Sequence, residues 1–385
     1  MRELRAGRNG GDPCARSVRF HDTTLRDGEQ MPGVAFGLPA RIEIARELDA
    51  VGIDDIEVGF AATDAACADI AAVARLGLRA RLLALCRPLV DDIDSALAAG
   101  VDGVVLVTSV SPSHLRHKFA RCAADVLREA CAAVSHARSS GLFVQLSLED
   151  ATRCPAAAIV DAANACVASG AQRICIADTV GVARPRLMRD LVGRVVGAVD
   201  VPVSAHCHND FGLATANSLA AVEGGARSLS TTMNGIGERS GNASTEECAL
   251  ALEVLHDVRT SLDLRRLPQA AALVADLSGV PLAPHKPIVG ENSFRHESGI
   301  HIAAMLRHPS CYEPYDPVLV GRERELLLGK TSGRAAVRHV ADQLGIALDE
   351  AACRAVLDVL KLLAERGDGI DGAEVIRDVV SEVRS

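Results

Sequence analysis

From residue 17 to about residue 260 the chain alternates between two hydrophobic periods. Short β-branched or apolar runs occur at 17–23 (SVRFHDT), 55–60 (DIEVGF), 81–86 (RLLALC), 103–108 (GVVLVT), 143–148 (FVQLSL), 173–178 (RICIAD), 202–208 (PVSAHCH) and 228–234 (SLSTTMN). Their length and residue types predict strands. Between them apolar residues recur at helical spacing, as in 40–52 (ARIEIARELDAVG), where Ile42, Ile44, Ala45 and Leu48 share a face and Gly52 marks a stop. Eight successive β-α units close into a parallel barrel, so the pattern predicts an α/β chain with a (β/α)8 TIM barrel over 17–260. Residues 1–16 read as a flexible N-terminus. After 260 the pattern changes: 261–285 looks like a Pro-interrupted helical linker, the chain to 334 is Gly-rich and loop-like, and 335–385 returns to helical period. A smaller, mainly helical C-terminal region is therefore expected.

Composition sharpens this picture. Hydrophobic residues make up 49% of the chain while aromatics are 2% and Trp is absent, so the core must be built from Ala, Val, Leu and Ile. A net charge of -9 gives no global field for nucleic acid or an anionic membrane, and neither is an expected partner. The twelve cysteines form no C-x-x-C pair and fall within apolar patterns, which reads as free thiols in a reducing compartment. No apolar stretch resembles a signal peptide or a membrane span, so a cytoplasmic location is expected.

Candidate chemistry gathers at the C-terminal ends of the expected strands, where barrel enzymes carry their active sites. In PVSAHCHNDFG the two-residue strand period points His206 and His208 to one side and Cys207 to the other. The pair is either a divalent-metal site or two barrel-lining histidines. HDTTLRDGEQ at the end of the first strand brings Asp27 to the same rim, and a carboxylate with two imidazoles makes an open site for Mg, Mn, Co or Zn. Asn242, in NGIGERSGN, is a further ligand or the stabiliser of a Gly-rich turn. Arg26 adjoins Asp27 and would stabilise charge on a carbonyl oxygen, or simply form an ion pair. Glu149, in LSLEDATR, is an acid/base candidate or a residue at a helix N-terminus, and Thr179, in ADTVG, a substrate-binding hydroxyl or an N-cap.

Six motifs then occur in order: HDTTLRDGEQMPGV, LSLEDATR, IADTVG, AHCHNDFGLATANSLAAVEGGA, MNGIGERSGNAS and VGENSFRHESGIH. From about residue 18 to about residue 340 the chain resembles the homocitrate synthase and 2-isopropylmalate synthase family, metal-dependent barrel acyltransferases that run a Claisen condensation. The resemblance implies acetyl-CoA as co-substrate, Asp27, His206, His208 and Asn242 at the metal, and Arg26, Gln30, Ser147, Glu149 and Thr179 around a 2-oxo acid. It also implies that 261–334 contains a subdomain covering the active site, and that His301 and Tyr312 reach the partner's site in a homodimer. On the residues alone, His301 caps a loop and Tyr312 packs a turn. The chain departs from the family at Ala303 and Ala304, where an acidic residue and a glycine are usual, and at Thr331, where a histidine is common.

For the acceptor, Arg87 after the third strand and Arg116 within SPSHLRHK, which also supplies His114, His117 and Lys118, favour a distal anionic group. They could equally be solvated or meet CoA phosphates. The expectation is 2-oxoglutarate, giving homocitrate; other acceptors are phosphonopyruvate, oxaloacetate, pyruvate and 2-oxoisovalerate. A carbon–carbon lyase of the hydroxymethylglutaryl-CoA lyase type is a competing reading, and a non-catalytic relative a third. Feedback-regulated isopropylmalate synthases carry a further C-terminal domain, so leucine inhibition through one is not expected.

Overall fold

The computed structural model of the protein describes residues 17–367 and 370–384. The expectation for residues 1–16 lies outside them. Strands β1 (Arg19–Asp22), β2 (Asp55–Phe60), β3 (Arg81–Cys86), β4 (Gly103–Thr108), β5 (Phe143–Leu148), β6 (Arg173–Asp178), β7 (Val203–Cys207) and β8 (Ser228–Thr231) form a closed barrel, each parallel to the next and β8 parallel to β1. All eight sites match the sequence reading. β2 to β6 keep the expected bounds, while β1, β7 and β8 are shorter by one to three residues at an end, since β1 and β8 give way to the turns that carry polar groups.

Each strand buries both faces. Outward-turned Val104, Leu106, Val144, Leu146, Ile174, Ile176, Ala205 and Leu229 are fully buried. They pack beneath helices α1 (Leu38–Val51), α2 (Asp64–Ala74), α3 (Val90–Ala98), α4 (Ala123–Ser139), α5 (Ala156–Ala168), α6 (Pro185–Val196), α7 (Ala214–Glu223) and α8 (Thr245–Leu255). Alanine on the helix faces, such as Ala162 and Ala163 of α5, lets the helices lie close to the strands. Helix α1 ends as expected at Gly52, whose φ of 96° suits a left-handed cap and where a Cβ would meet Ser261 O at 2.6 Å. Inside, the lower end of the barrel is ionic. Arg173 Nη1 lies 2.5 Å and Arg81 Nε 2.7 Å from the buried Asp55 carboxylate, and both guanidinium groups stack on Phe143. Leu83, Leu85 and Val105 form an apolar layer, packed by Phe60, Val107 and Phe143.

The chain divides into two compact units, one ending at Leu282 and the other running from Ala283. The segment expected to be a linker contains α9 (Leu267–Ser278), which buries Leu267, Ala270, Ala271 and Val274 and packs against α1. In the second unit β9 (Arg295–His296) pairs with β10 (Glu325–Leu326). Helices α10 (Gly299–Met305), α11 (Arg334–Gln343), α12 (Glu350–Arg366) and α13 (Gly372–Arg384) enclose a core of Ile302, Val337, Val356, Leu360 and Ile376. Among the described residues the cysteines are free, and no helix is long and apolar enough to cross a membrane.

Candidate active site

The turn after β1 is built on one carbonyl. Thr23 O accepts from the backbone N–H groups of Arg26, Asp27 and Gly28 at 3.1, 2.8 and 3.1 Å, which holds Asp27 over the barrel mouth. Asp27 Oδ2 faces His206 Nε2 at 3.6 Å and His208 Nε2 at 4.0 Å, and the two Nε2 atoms are 3.1 Å apart. All three side chains are buried. The strand period places both histidines on one face, as the motif implied.

His206 Nδ1 is 3.0 Å from Ser230 Oγ, which leaves its Nε2 turned to the cluster. Burial, then the neighbouring His208, pushes His206 down to about 3, and burial lowers His208 as well, so both imidazoles are neutral near pH 7. Burial would raise Asp27, but Arg26 and then the histidine pair outweigh it and hold the carboxyl well below its usual range. Two neutral imidazoles and an ionised carboxylate, with ligand atoms all within 4.8 Å of one another, are a donor set for one divalent cation. Asn242 donates Nδ2 to Asp27 Oδ1 at 2.7 Å and to Ile236 O at 3.1 Å, while its buried Oδ1 has no protein partner. That oxygen is free to join the set, so the residues fit a metal.

Arg26 is clamped between two carboxylates: Nη1 lies 2.5 Å from Asp27 Oδ2 and Nε 2.5 Å from Glu57 Oε1. Burial opposes its charge, but Glu57 and Asp27 hold the guanidinium above its ordinary value. Gln30 lies at the exposed lip of a cavity of about 240 Å3 that Arg26, Val58, Phe60 and Thr63 also line. Across the mouth, Glu149 accepts from Lys118 Nζ at 2.6 Å, and Ser147 is buried at the end of β5. Thr179 does not cap a helix; its Oγ1 accepts from Asp150 N at 2.8 Å and so ties the β5 and β6 ends together.

Two expected acceptor contacts fare differently. Arg87 donates Nε and Nη2 to Asp92 at 2.9 and 2.8 Å, so its fork is already filled by a carboxylate in the first turn of α3. Arg116 is exposed on a π-helical turn, His114–Phe119. In the second unit, His301 and Tyr312 are brought together: their rings stack with centroids 4.0 Å apart and planes 25° apart, both exposed. Thr331, which stands where the family commonly has a histidine, donates Oγ1 to Glu297 Oε1 at 3.3 Å.

Residues 17–274 match the family model described as HMGL-like, and residues 288–368 the one described as homocitrate synthase post-HMGL domain-like. The chain belongs to the HMGL-like family. Its relatives include homocitrate synthase AksA of Methanocaldococcus jannaschii, 43% identical over 96% of this chain and 91% of that protein. (R)-citramalate synthase CimA of the same organism is 41% identical over 95% of this chain and 74% of that protein. A probable 2-isopropylmalate synthase of Ignicoccus hospitalis is 43% identical over 96% and 92%. This HMGL-like protein is accordingly an enzyme, an acyltransferase of the homocitrate and isopropylmalate synthase type. Its fold is shared with the HMG-CoA lyase of Bacillus subtilis, at a TM-score of 0.64 and 22% identity over 69% of this chain and 95% of that one.

Sequence reasoning passed over three groups in this HMGL-like site: Glu57, His21 and Ser230. A signal for the first two was present, because each interrupts an apolar strand run at an inward position. Their partners, however, come from other strands, and the run itself does not name them.

Proposed function

We propose that this HMGL-like enzyme condenses acetyl-CoA with a 2-oxo acid and hydrolyses the thioester to release CoA. The observation that carries the reading is the buried Asp27, His206 and His208 cluster with Arg26 2.5 Å from Asp27 at the barrel mouth. Asp27, His206, His208 and Asn242 would hold a divalent cation, Mg, Mn, Co or Zn, which when bound supplies Lewis-acid polarisation of the acceptor carbonyl. Arg26, kept charged and oriented by its two carboxylates, stabilises negative charge on the acceptor oxygen. Gln30, Ser147 and Thr179 orient the acceptor, and Glu149, neutralised by Lys118, serves as its acid/base or orienting partner. His301, stacked on Tyr312, takes the methyl proton of acetyl-CoA. In this reading the two rings serve the partner's site in a homodimer, and the free thiols fit a reducing, cytoplasmic setting.

Leu85 and Val107, with Phe60 packed beside them, are apolar side chains near the C-terminal ends of β3 and β4, and in this reading they would face the acceptor's far end. With Arg87 paired to Asp92, that wall supports a 2-oxo acid with a short apolar substituent, pyruvate or 2-oxoisovalerate. 2-Oxoglutarate, giving homocitrate, is the second reading, favoured by the exposed Arg116 and His117 on the turn after β4 and by the relatives named homocitrate synthase. The test is CoA release from acetyl-CoA with pyruvate, 2-oxoisovalerate, 2-oxoglutarate, oxaloacetate and phosphonopyruvate, with product identification by mass spectrometry. Turnover is expected with wild type and absent from Asp27→Ala, which should also lose its metal. Turnover by metal-stripped protein overturns the role of the cluster, and cleavage of hydroxymethylglutaryl-CoA without condensation overturns the reaction.

A further inference from the structure

His21 is fully enclosed on β1, in register with Asp55 of β2 and Ser230 of β8. Its Nε2 is 3.1 Å from Glu57 Oε2, a close contact short of good hydrogen-bond angles. The other Glu57 oxygen holds Arg26 Nε at 2.5 Å, and Arg26 Nη1 in turn meets Asp27 at 2.5 Å. A line of four side chains thus runs from the barrel interior to the cluster. The reaction assigned above uses its outer three members and gives no part to His21.

We propose that His21 is a positioning residue for Arg26, acting through Glu57; the assignment rests on the condensation reading. A carboxylate held by one donor on one oxygen can swing about its Cγ–Cδ bond, whereas a contact on each oxygen fixes its plane. Glu57 is only 1% exposed, so water does not replace a missing partner. Burial would raise this carboxyl, but Arg26 and then His21 outweigh burial and hold it at about 2. Without His21 the buried carboxylate has one oxygen unmatched. It relaxes by turning wholly toward Arg26 or by taking up a proton, and either response moves or loosens the guanidinium. A misplaced charge at the reacting oxygen is felt in the transition state more than in substrate binding.

CoA release by wild type is established first with the acceptor panel, so that a failure of the reaction reading is seen in wild type and a failure of this assignment only in variants. His21→Phe and His21→Asn remove the contact, the first by polarity and the second by reach, while His21→Gln can place an amide nitrogen near the position of Nε2. In His21→Phe and His21→Asn, kcat and kcat/KM for the acceptor should fall together by about tenfold or more, with KM for acetyl-CoA and metal per subunit unchanged. His21→Gln should recover to within about threefold of wild type. The proposal is overturned if His21→Phe or His21→Asn keeps wild-type kcat, or if His21→Gln falls as far as they do. It is also overturned if neither removal variant folds while His21→Gln does, because the histidine then serves the fold.

Discussion

Asp22, one residue beyond His21, lies fully buried under α8, accepting from Thr24 N at 2.8 Å and Thr245 Oγ1 at 3.3 Å. Burial outweighs those hydrogen bonds and raises its carboxyl from 3.8 to about 7. For an acid raised on folding, the native state binds the extra proton, so its contribution to stability is full below about pH 4 and is lost as pH rises toward 7. Asp22→Asn keeps an acceptor for Thr24 and gains a donor for Thr245 without an ionisable group. Its melting temperature relative to wild type should therefore rise between about pH 4 and about pH 7, by several degrees; a constant difference across that range would refute the assignment. Side chains of this kind show how far residue reading reaches. His206 and His208 were legible because one strand's period aligns them, and Asp27 because it shares their rim. Arg87's pairing was not legible, because its partner Asp92, five positions on, turns back on it only when α3 begins.

At the scale of elements, the loop between β8 and α8 shapes the cluster as much as the ligands do. Gly237 has φ 149°, and a Cβ there would lie 2.1 Å from Asn242 Nδ2 and 2.6 Å from Asp27 Oδ1. Both neighbours are buried and hydrogen-bonded to each other, so neither has room to yield. Gly237→Ala should lower metal per subunit and reduce turnover by about tenfold or more, with the far-UV circular dichroism retained. Full metal occupancy in this variant would mean that the loop does not cradle the site. The strands themselves were readable from sequence at all eight places, since a barrel strand buried on both faces is a short apolar run bounded by turns. Helix α9 was legible as helical but passed for a linker, because Pro268 near its start reads as an interruption although proline suits the first turn of a helix, and its packing against α1 is a long-range contact.

At the scale of the whole molecule, the proposed chemistry draws on both compact units, and the dimer reading assigns His301 to the partner's barrel. That arrangement makes a direct prediction. Asp27→Ala and His301→Ala proteins, each inactive alone, should regain activity when mixed under conditions that exchange subunits, because a hybrid dimer contains one site with both residues intact. No recovery in mixtures shown by mass to contain hybrids would place His301 in its own subunit's chemistry or outside it. Local periodicity was enough to determine the alternation of strands and helices, the count of eight, the rim on which polar groups collect, and the shared face of His206 and His208. Those features depend on neighbours within a few residues or on a strand's own two faces. Closure of the barrel decided the rest: Glu57 meeting Arg26 from 31 positions away, His21 beneath it, Ser230 fixing His206, and α9 joining the first unit. Such pairings depend on strand register and on which inward side chains share a layer, and a one-dimensional pattern carries neither.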